Sequence, residues 1–193
     1  MLVIFIASYL IGSIPFGYLI ARLWKIDIRQ AGSGNIGATN VLRTLGPIPG
    51  SIVFTLDLLK GALPIFLAQR ITSDPRLIIL AGLCVIIGHM FSVFMKFKGG
   101  KGAATGLGVL LGIAPDIFLG AVILTALIIG LTRYVSVASI IMSILITAAF
   151  YFLNRPLPYT IVAATVAVLV IIRHGPNIKR LISGTEPKIG DKK

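Results

Sequence analysis

Long apolar runs alternate with short polar loops along this chain, and the runs are too uniformly hydrophobic for the faces of a soluble fold. They span Leu2 to Leu23, Ile48 to Gln69, Leu77 to Met95, Ala103 to Ile113, Pro115 to Leu131, Val135 to Leu153 and Pro158 to Ile172. A helix that crosses a bilayer core of about 30 Å needs ~20 mostly apolar residues, and most of these runs meet or approach that length. Ala103 to Ile113 is too short to cross alone. Pro115 favours a break after it, because proline lacks the intrahelical donor and crowds the preceding turn. Two short helices meeting at Pro115-Asp116, or one re-entrant hairpin, fit equally well. The expected fold is therefore all-α: a single polytopic membrane domain over residues 1–193 with about seven transmembrane helices, some short or broken. Five helices plus a re-entrant pair is the alternative.

Composition agrees with lipid as the solvent. Hydrophobic residues make up 56% of the chain and charged residues only 12%, with a mean hydropathy of +0.99, far from a soluble domain. The charges that remain are unevenly placed. Arg22, Lys25, Arg29, Arg43, Lys96, Lys98, Lys101, Arg133, Arg173, Lys179, Arg180, Lys188, Lys192 and Lys193 fall on one side of the pattern; Arg70, Arg76 and Arg155 fall on the other; Lys60 lies inside a helix. Lys and Arg in short loops mark the cytoplasmic side, so the N-terminus is expected outside and the C-terminus in the cytoplasm. No basic residue precedes the first run and no small-residue cleavage site follows it, so that run is expected to stay as the first helix. The net charge of +12 follows from this bias and from anionic headgroups. It implies no nucleic-acid partner, since no nucleic-acid-binding motif accompanies it. The one cysteine, Cys84, lies in an apolar run with no metal-ligand set near it; no metal and no cofactor are expected.

Three polar clusters interrupt the apolar pattern, and the topology puts all of them on the basic side. The first is Gly32-Ser33-Gly34-Asn35-Ile36-Gly37-Ala38-Thr39-Asn40, followed by Arg43. Its glycines match dinucleotide-loop spacing, but that pattern has meaning only between a strand and a helix. What survives is a run of backbone N–H groups able to hold an anion, with Ser33, Asn35, Thr39 and Asn40 as added donors. The second is Lys96-Phe97-Lys98-Gly99-Gly100-Lys101-Gly102. It fails the phosphate-loop pattern of nucleotide hydrolases, because Met95 and Gly102 stand where that pattern needs Gly and Ser or Thr. Gly99, Gly100 and Gly102 nevertheless flank Lys101 just before a helix N-terminus, where anions are favoured. Lys96 and Lys98 read as anchors for the helix end. The third cluster is Arg173-His174-Gly175-Pro176-Asn177-Ile178-Lys179-Arg180, with Gly184, Glu186 and Lys188 beyond. His174 can act as base, acid or donor near neutral pH.

Other polar residues lie inside the apolar runs. Asp57 and Lys60 are spaced to share a helix face, where pairing lowers the cost of burial; intramembrane charges are also candidates for function. His89, beside Gly88, reads as an interhelical hydrogen-bonding residue near the site. Ser136 and Ser139 follow Arg133 at i, i+3 spacing, and Ser139 is placed to line a polar pocket. Glycine-rich loops, hydroxyls and lysines beside lipid suit a membrane enzyme acting on a phosphorylated lipid precursor.

Together these residues resemble the bacterial acyl-phosphate:glycerol-3-phosphate acyltransferase family. The likeness runs end to end through Gly32 to Asn40 with Arg43, Gly88-His89 followed by Lys96 to Gly106, Arg133 to Ser139, and Arg173-His174 through Asn177, Arg180-Leu181, Gly184 and Glu186. The resemblance implies an enzyme of the bacterial inner membrane, active site toward the cytoplasm, that makes lysophosphatidic acid from a fatty acyl phosphate and sn-glycerol 3-phosphate. The His-and-Asp pattern of other acyltransferases is absent: five positions after His89 stands Phe94, and after His174 stands Lys179. An acyl phosphate is a mixed anhydride whose phosphate leaves readily, so charge placement and proximity supply most of the catalysis. Lys101 and His174 are the expected catalytic residues. Ser33, Asn35, Thr39 and the Gly99, Gly100 and Gly102 amides are expected to bind acyl phosphate; Arg43, Lys101, Ser139, His174 and Asn177, glycerol 3-phosphate. The proton acceptor is His174 or a substrate phosphate. Membrane lipids are the only other partners expected, with the monomer as the working unit. A transporter of phosphorylated solutes and a non-catalytic lipid-binding subunit are the rival readings.

Overall fold

The computed structural model describes residues 1–191; Lys192 and Lys193, assigned to the basic side by sequence, lie outside the described residues. All regular structure among them is helical. Helices α1 (Leu2–Ser13), α2 (Phe16–Leu23), α3 (Ala38–Leu45), α4 (Pro47–Ile71), α5 (Pro75–Met90) and α6 (Ala103–Ile113) belong to one compact unit, residues 1–113. Helices α7 (Pro115–Thr132), α8 (Val135–Phe152), α9 (Leu157–Arg173) and α10 (Gly175–Ile182) belong to a second, beginning at Ala114. The boundary between the two units falls at Ala114, the residue that separates α6 from α7 and precedes Pro115.

Five segments are long and apolar enough to cross a membrane: Leu2–Leu23, Pro47–Ile71, Pro75–Met95, Pro115–Thr132 and Val135–Phe152; α9 and α10 supply a sixth if their bent pair is one span. Helix α6, with eleven residues, reaches only about 16 Å at ~1.5 Å per residue and falls short of the core. All seven apolar runs are helical, but several boundaries differ from the expectation. The first run breaks at Ile14-Pro15, where proline cannot donate and turns the chain into α2. The third ends at Met90 and resumes as a single 3₁₀ turn, Val93–Met95. The last does not stop at Ile172. It bends by 56° at His174 and continues as α10. The first polar cluster, read as a loop, becomes helical from Ala38 onward.

In lipid there is no hydrophobic drive between helices, so close backbone packing through small residues takes over. A Cβ at Gly12 would stand 2.1 Å from the Val85 carbonyl oxygen, and one at Gly88 2.1 Å from that of Tyr9. These two glycines let α1 and α5 meet backbone to backbone. Gly61 and Gly108 do the same for α4 and α6, against Thr105 and Leu58. Polar side chains lock the same interfaces: Ser13 Oγ donates to the Gly88 carbonyl, Tyr9 Oη to Phe91, and Gln69 Nε2 to Gly112. In the second unit α8 packs on both α7 and α9, and Arg155 pairs with Asp116 to tie the α8–α9 loop to the start of α7.

Candidate active site

The first cluster is built around Asn40. This side chain, 2% exposed, sits in the first turn of α3 and accepts from the Ser33 N–H at 2.8 Å. Its Nδ2 donates to the carbonyls of Ile28, Ala31 and Asn35, at 3.2, 2.9 and 2.9 Å. Asn40 is therefore the internal scaffold of the loop, not one of its outward donors as the sequence suggested. Gly32 has φ +58 and a Cβ there would lie 2.2 Å from Asn40 Oδ1, so glycine is needed on both counts. Asn35 Oδ1 accepts from the Gly37 N–H at 2.8 Å, which commits its carbonyl to the turn preceding α3. Thr39, half-buried, stands in the first turn of α3, where N–H groups favour an anion, and Ser33, exposed, lies in the loop before it. Arg43 is one turn further on and half-buried. The neighbouring arginines are engaged elsewhere. Arg29 forms a two-point contact with Asp27 at 2.9 and 2.6 Å, and both Arg22 and Arg29 lie over the Tyr18 ring. The hydrogen bond from Arg29 holds the Asp27 carboxyl down to about 2.

The second cluster is packed against the first within the same unit. Ile28, Ile36, Val41 and Met95 belong to one buried apolar group with Ala21 and Val53, which seats the glycine-rich loop beside the entry to the lysine loop. In the latter, the Gly99 N–H donates to the Met90 carbonyl at 3.1 Å and the Gly100 N–H to the His89 carbonyl at 2.9 Å. These two amides, expected to hold acyl phosphate, are instead committed to the C-terminus of α5, whose last carbonyls need donors. The glycines serve close approach: a Cβ at Gly99 would meet the His89 oxygen at 2.0 Å, and one at Gly100 the His89 Nε2 at 2.1 Å. Gly102, at φ +87, turns the chain into α6. Lys101 is left half-buried between two backbone fixtures.

Beneath this loop lies a charged cluster inside the helices. Asp57 and Lys60 pair at 2.6 Å with 2% and 3% of their side chains exposed, as their spacing predicts. Lys60 Nζ also donates to the Ile14 carbonyl at 2.8 Å, an oxygen set free by the proline break between α1 and α2. His89 Nδ1 is 3.7 Å from Asp57 Oδ1.

In the second unit the organising group is Glu186, which sequence reading noted only as part of a motif. It is buried, and its Oε1 accepts from Ser136 Oγ at 2.9 Å and Asn177 Nδ2 at 2.7 Å; Oε2 accepts from Arg180 Nε at 2.8 Å. This ties the start of α8 to α10 and to the tail. Arg133 completes the fastening: it donates to the Ile189 carbonyl through Nε and Nη2, at 3.0 and 2.7 Å, and accepts from the Ile189 N–H. The signal for Glu186 was its rarity, because an acidic side chain among so many basic ones has a partner to hold. Asn177 is buried and its position is set by Glu186. Ser139 Oγ donates to the Val135 carbonyl at 2.9 Å, which spends its proton within α8. His174 is buried at the bend, with Nδ1 2.8 Å from the Val170 carbonyl. A carbonyl oxygen can only accept, so Nδ1 carries the proton and the neutral ring has its lone pair on Nε2. Among the described residues no group of three or more His, Cys, Asp or Glu is arranged to hold a metal ion.

Burial raises the Glu186 pKa, but hydrogen bonds from Asn177, Ser136 and Arg180 outweigh it and hold the carboxyl below its ordinary value. A carboxyl lowered by folding contributes stability above its unfolded pKa and loses it as pH falls through the folded one. Thermal unfolding of the detergent-solubilised protein is therefore expected to show a stability advantage over Glu186→Gln that is constant near neutrality and shrinks below about pH 4.5. Glu186→Ala, which strands the buried Ser136 and Asn177 donors, is expected to cost on the order of 3 kcal/mol.

The geometry has close counterparts. The family model for glycerol-3-phosphate acyltransferase matches residues 2–184. The glycerol-3-phosphate acyltransferase 2 of Moorella thermoacetica is 45% identical over 97% of this chain and 96% of its own length; the glycerol-3-phosphate acyltransferase of Desulforamulus reducens is 45% identical over 98% and 96%. Crystal structures of PlsY, an integral membrane glycerol 3-phosphate acyltransferase, superpose with TM-scores of 0.95 for its glycerol 3-phosphate form and 0.92 for its lysophosphatidic acid form. They are 42% and 41% identical in sequence and cover 98% of this chain and 95% of theirs. With the family model matched nearly end to end and a solved member sharing its helical frame, this chain belongs to the glycerol-3-phosphate acyltransferase family.

Proposed function

We propose that the protein transfers the acyl group of a fatty acyl phosphate to the sn-1 hydroxyl of glycerol 3-phosphate. The hydroxyl oxygen bonds to the acyl carbon, the bond from that carbon to the phosphate oxygen breaks, and phosphate leaves with the electron pair. The hydroxyl proton passes to His174 Nε2 or to a substrate phosphate. The observation that carries this reading is the near-complete likeness to a relative solved in both its glycerol 3-phosphate and its lysophosphatidic acid forms. Thr39 in the first turn of α3, Ser33 in the loop before it and the Gly102 turn are assigned to the acyl phosphate, with Asn35 shaping the turn that precedes α3. Lys101 neutralises the departing phosphate. Arg43, Ser139, His174 and Asn177 are assigned to glycerol 3-phosphate, Ser139 through its remaining lone pairs and Asn177 from the position Glu186 gives it. The reaction draws on no cofactor, and one chain is the working unit.

The deciding assay offers the purified full-length chain glycerol 3-phosphate with acyl phosphate or acyl-CoA as donor. Lysophosphatidic acid should form from acyl phosphate. Uptake of glycerol 3-phosphate into proteoliposomes without product would instead mark a transporter, and activity only with added protein would mark a subunit. Arg43→Ala should raise the KM for glycerol 3-phosphate about tenfold or more and leave that for acyl phosphate nearly unchanged, since lost ground-state binding appears in KM.

The seven-helix reading, N-terminus outside and C-terminus inside, with both lysine-rich and glycine-rich loops toward the cytoplasm of a bacterial inner membrane, is part of this proposal. The excess of basic loops on one side supports it. Reporter fusions after Thr39, Gly100 and Ile178 should read as cytoplasmic, and those at Ser73 and Asn154 as external. A periplasmic reading at Gly100 would dismantle the assignment of Lys101.

A further inference from the structure

Three ionisable groups lie buried in the first unit and take no part in the proposed chemistry. Asp57, Lys60 and His89 are 2%, 4% and 4% exposed, in a protein where every buried charge costs solvation that must be returned by partners. A pair kept only to join α4 to itself would have no reason to reach further, yet each member of this one does. Lys60 Nζ bonds the Ile14 carbonyl at 2.8 Å, and its charge sits 5.4 Å from the centre of the Phe16 ring. Both contacts fall at the α1–α2 break, so the ammonium pins the hinge that aims α2. Helix α2 in turn carries Gly17, whose Cβ would stand 1.7 Å from the Ile36 carbonyl oxygen, and Ala21, which lies in the apolar group with Ile36, Val41 and Met95. On the other side Asp57 stands 3.7 Å from His89 Nδ1, and the opposite edge of that ring, Nε2, supports the backbone of Gly100 at a distance that admits no Cβ. One cluster thus touches, through two side chains, the segments that seat both polar loops.

We infer that Asp57, Lys60 and His89 form a positioning device for the Lys101 loop, with the His89 ring as the spacer on which Gly100 rests and the Asp57–Lys60 pair as the fixture that orients the ring and the α1–α2 hinge. None of the three touches substrate in this assignment, which rests on the acyltransferase reading. Misplacement of a reacting group by about 1 Å can cost about 10²-fold in rate without loss of binding. The device therefore acts on kcat more than on KM.

The test uses purified full-length protein with saturating acyl phosphate and varied glycerol 3-phosphate. Single charge removals strand a buried ion and are poor probes, so the pair is neutralised together as Asp57→Asn/Lys60→Met, the kind of replacement a buried pair tolerates. His89→Ala removes only the spacer. For both variants, assayed well below their melting temperatures, kcat should fall about tenfold or more while the KM for each substrate stays within about twofold. Gly100→Ala should be inactive because its Cβ meets the ring, and Gly100→Ala/His89→Ala should recover activity to the level of His89→Ala alone. Folded His89→Ala and Asp57→Asn/Lys60→Met proteins with wild-type kcat would overturn the proposal, as would a Gly100→Ala defect that persists without the ring. An unchanged melting temperature with reduced kcat separates positioning from general stability. A wild-type protein that makes no lysophosphatidic acid would defeat the acyltransferase reading instead.

Discussion

Lys101→Ala is expected to cut turnover by about 10²- to 10³-fold with the protein still folded. Two features set this size. The side chain leaves a loop whose backbone is fixed on both sides, by the Gly99 and Gly100 bonds to the end of α5 and by the left-handed Gly102 that opens α6. A cation held this way needs little reorganisation when charge builds on the departing phosphate, and electrostatic stabilisation of that kind is the largest single contribution to many enzymes. Little packing is lost with it, since Lys101 is only half-buried on a loop. Lys98→Ala, at an exposed position on the same loop, should change turnover less than about threefold, as expected for a charge screened by solvent. Parallel measurement of kcat and of the melting temperature for the two variants checks the prediction. Near-normal turnover in Lys101→Ala would return that residue to the role of a membrane anchor.

The apolar pattern made the helices legible and the glycines made the loops legible, for the same reason: each is dictated by a local rule. Twenty or so apolar residues have no stable alternative to helix in lipid, so all seven runs are helical, though several break or end elsewhere than expected. The break at Ile14-Pro15 was readable in principle from its proline; the 56° bend at His174 was not, because the amphipathic pattern of α10 reads equally well as a polar tail. What sequence could not supply was the direction of hydrogen bonds. Gly99 and Gly100 looked like phosphate-binding amides, and only the fold shows them spent on α5. Asn40 looked like one donor among several, and only the fold shows four bonds converging on it. In both cases a polar group that seemed free for a ligand was needed by the backbone, which must satisfy its own donors and acceptors before any substrate arrives. Glu186 is the reverse case. It was noted without a role, and its three partners make it the hub of the second unit.

His174 carries the second large effect, and its tautomer gives the effect a sign. Because Nδ1 donates to the Val170 carbonyl at 2.8 Å, the neutral ring offers Nε2 only as an acceptor. It serves as a base when neutral and grips an anion only after a second proton has been added. The two roles bend the pH–rate profile in opposite directions: a base is lost as pH falls through its pKa, whereas an imidazolium that holds phosphate is lost as pH rises through it. The fixed Nδ1 proton favours the first. The wild-type kcat should accordingly rise with pH through a single ionisation and level off. His174→Ala should lower kcat by about 10²-fold or more and lose that limb, with the KM for glycerol 3-phosphate moving far less. If instead KM rises, kcat holds and the activity of the wild type falls above the same pKa, His174 binds phosphate as a cation and the hydroxyl proton goes directly to a substrate phosphate.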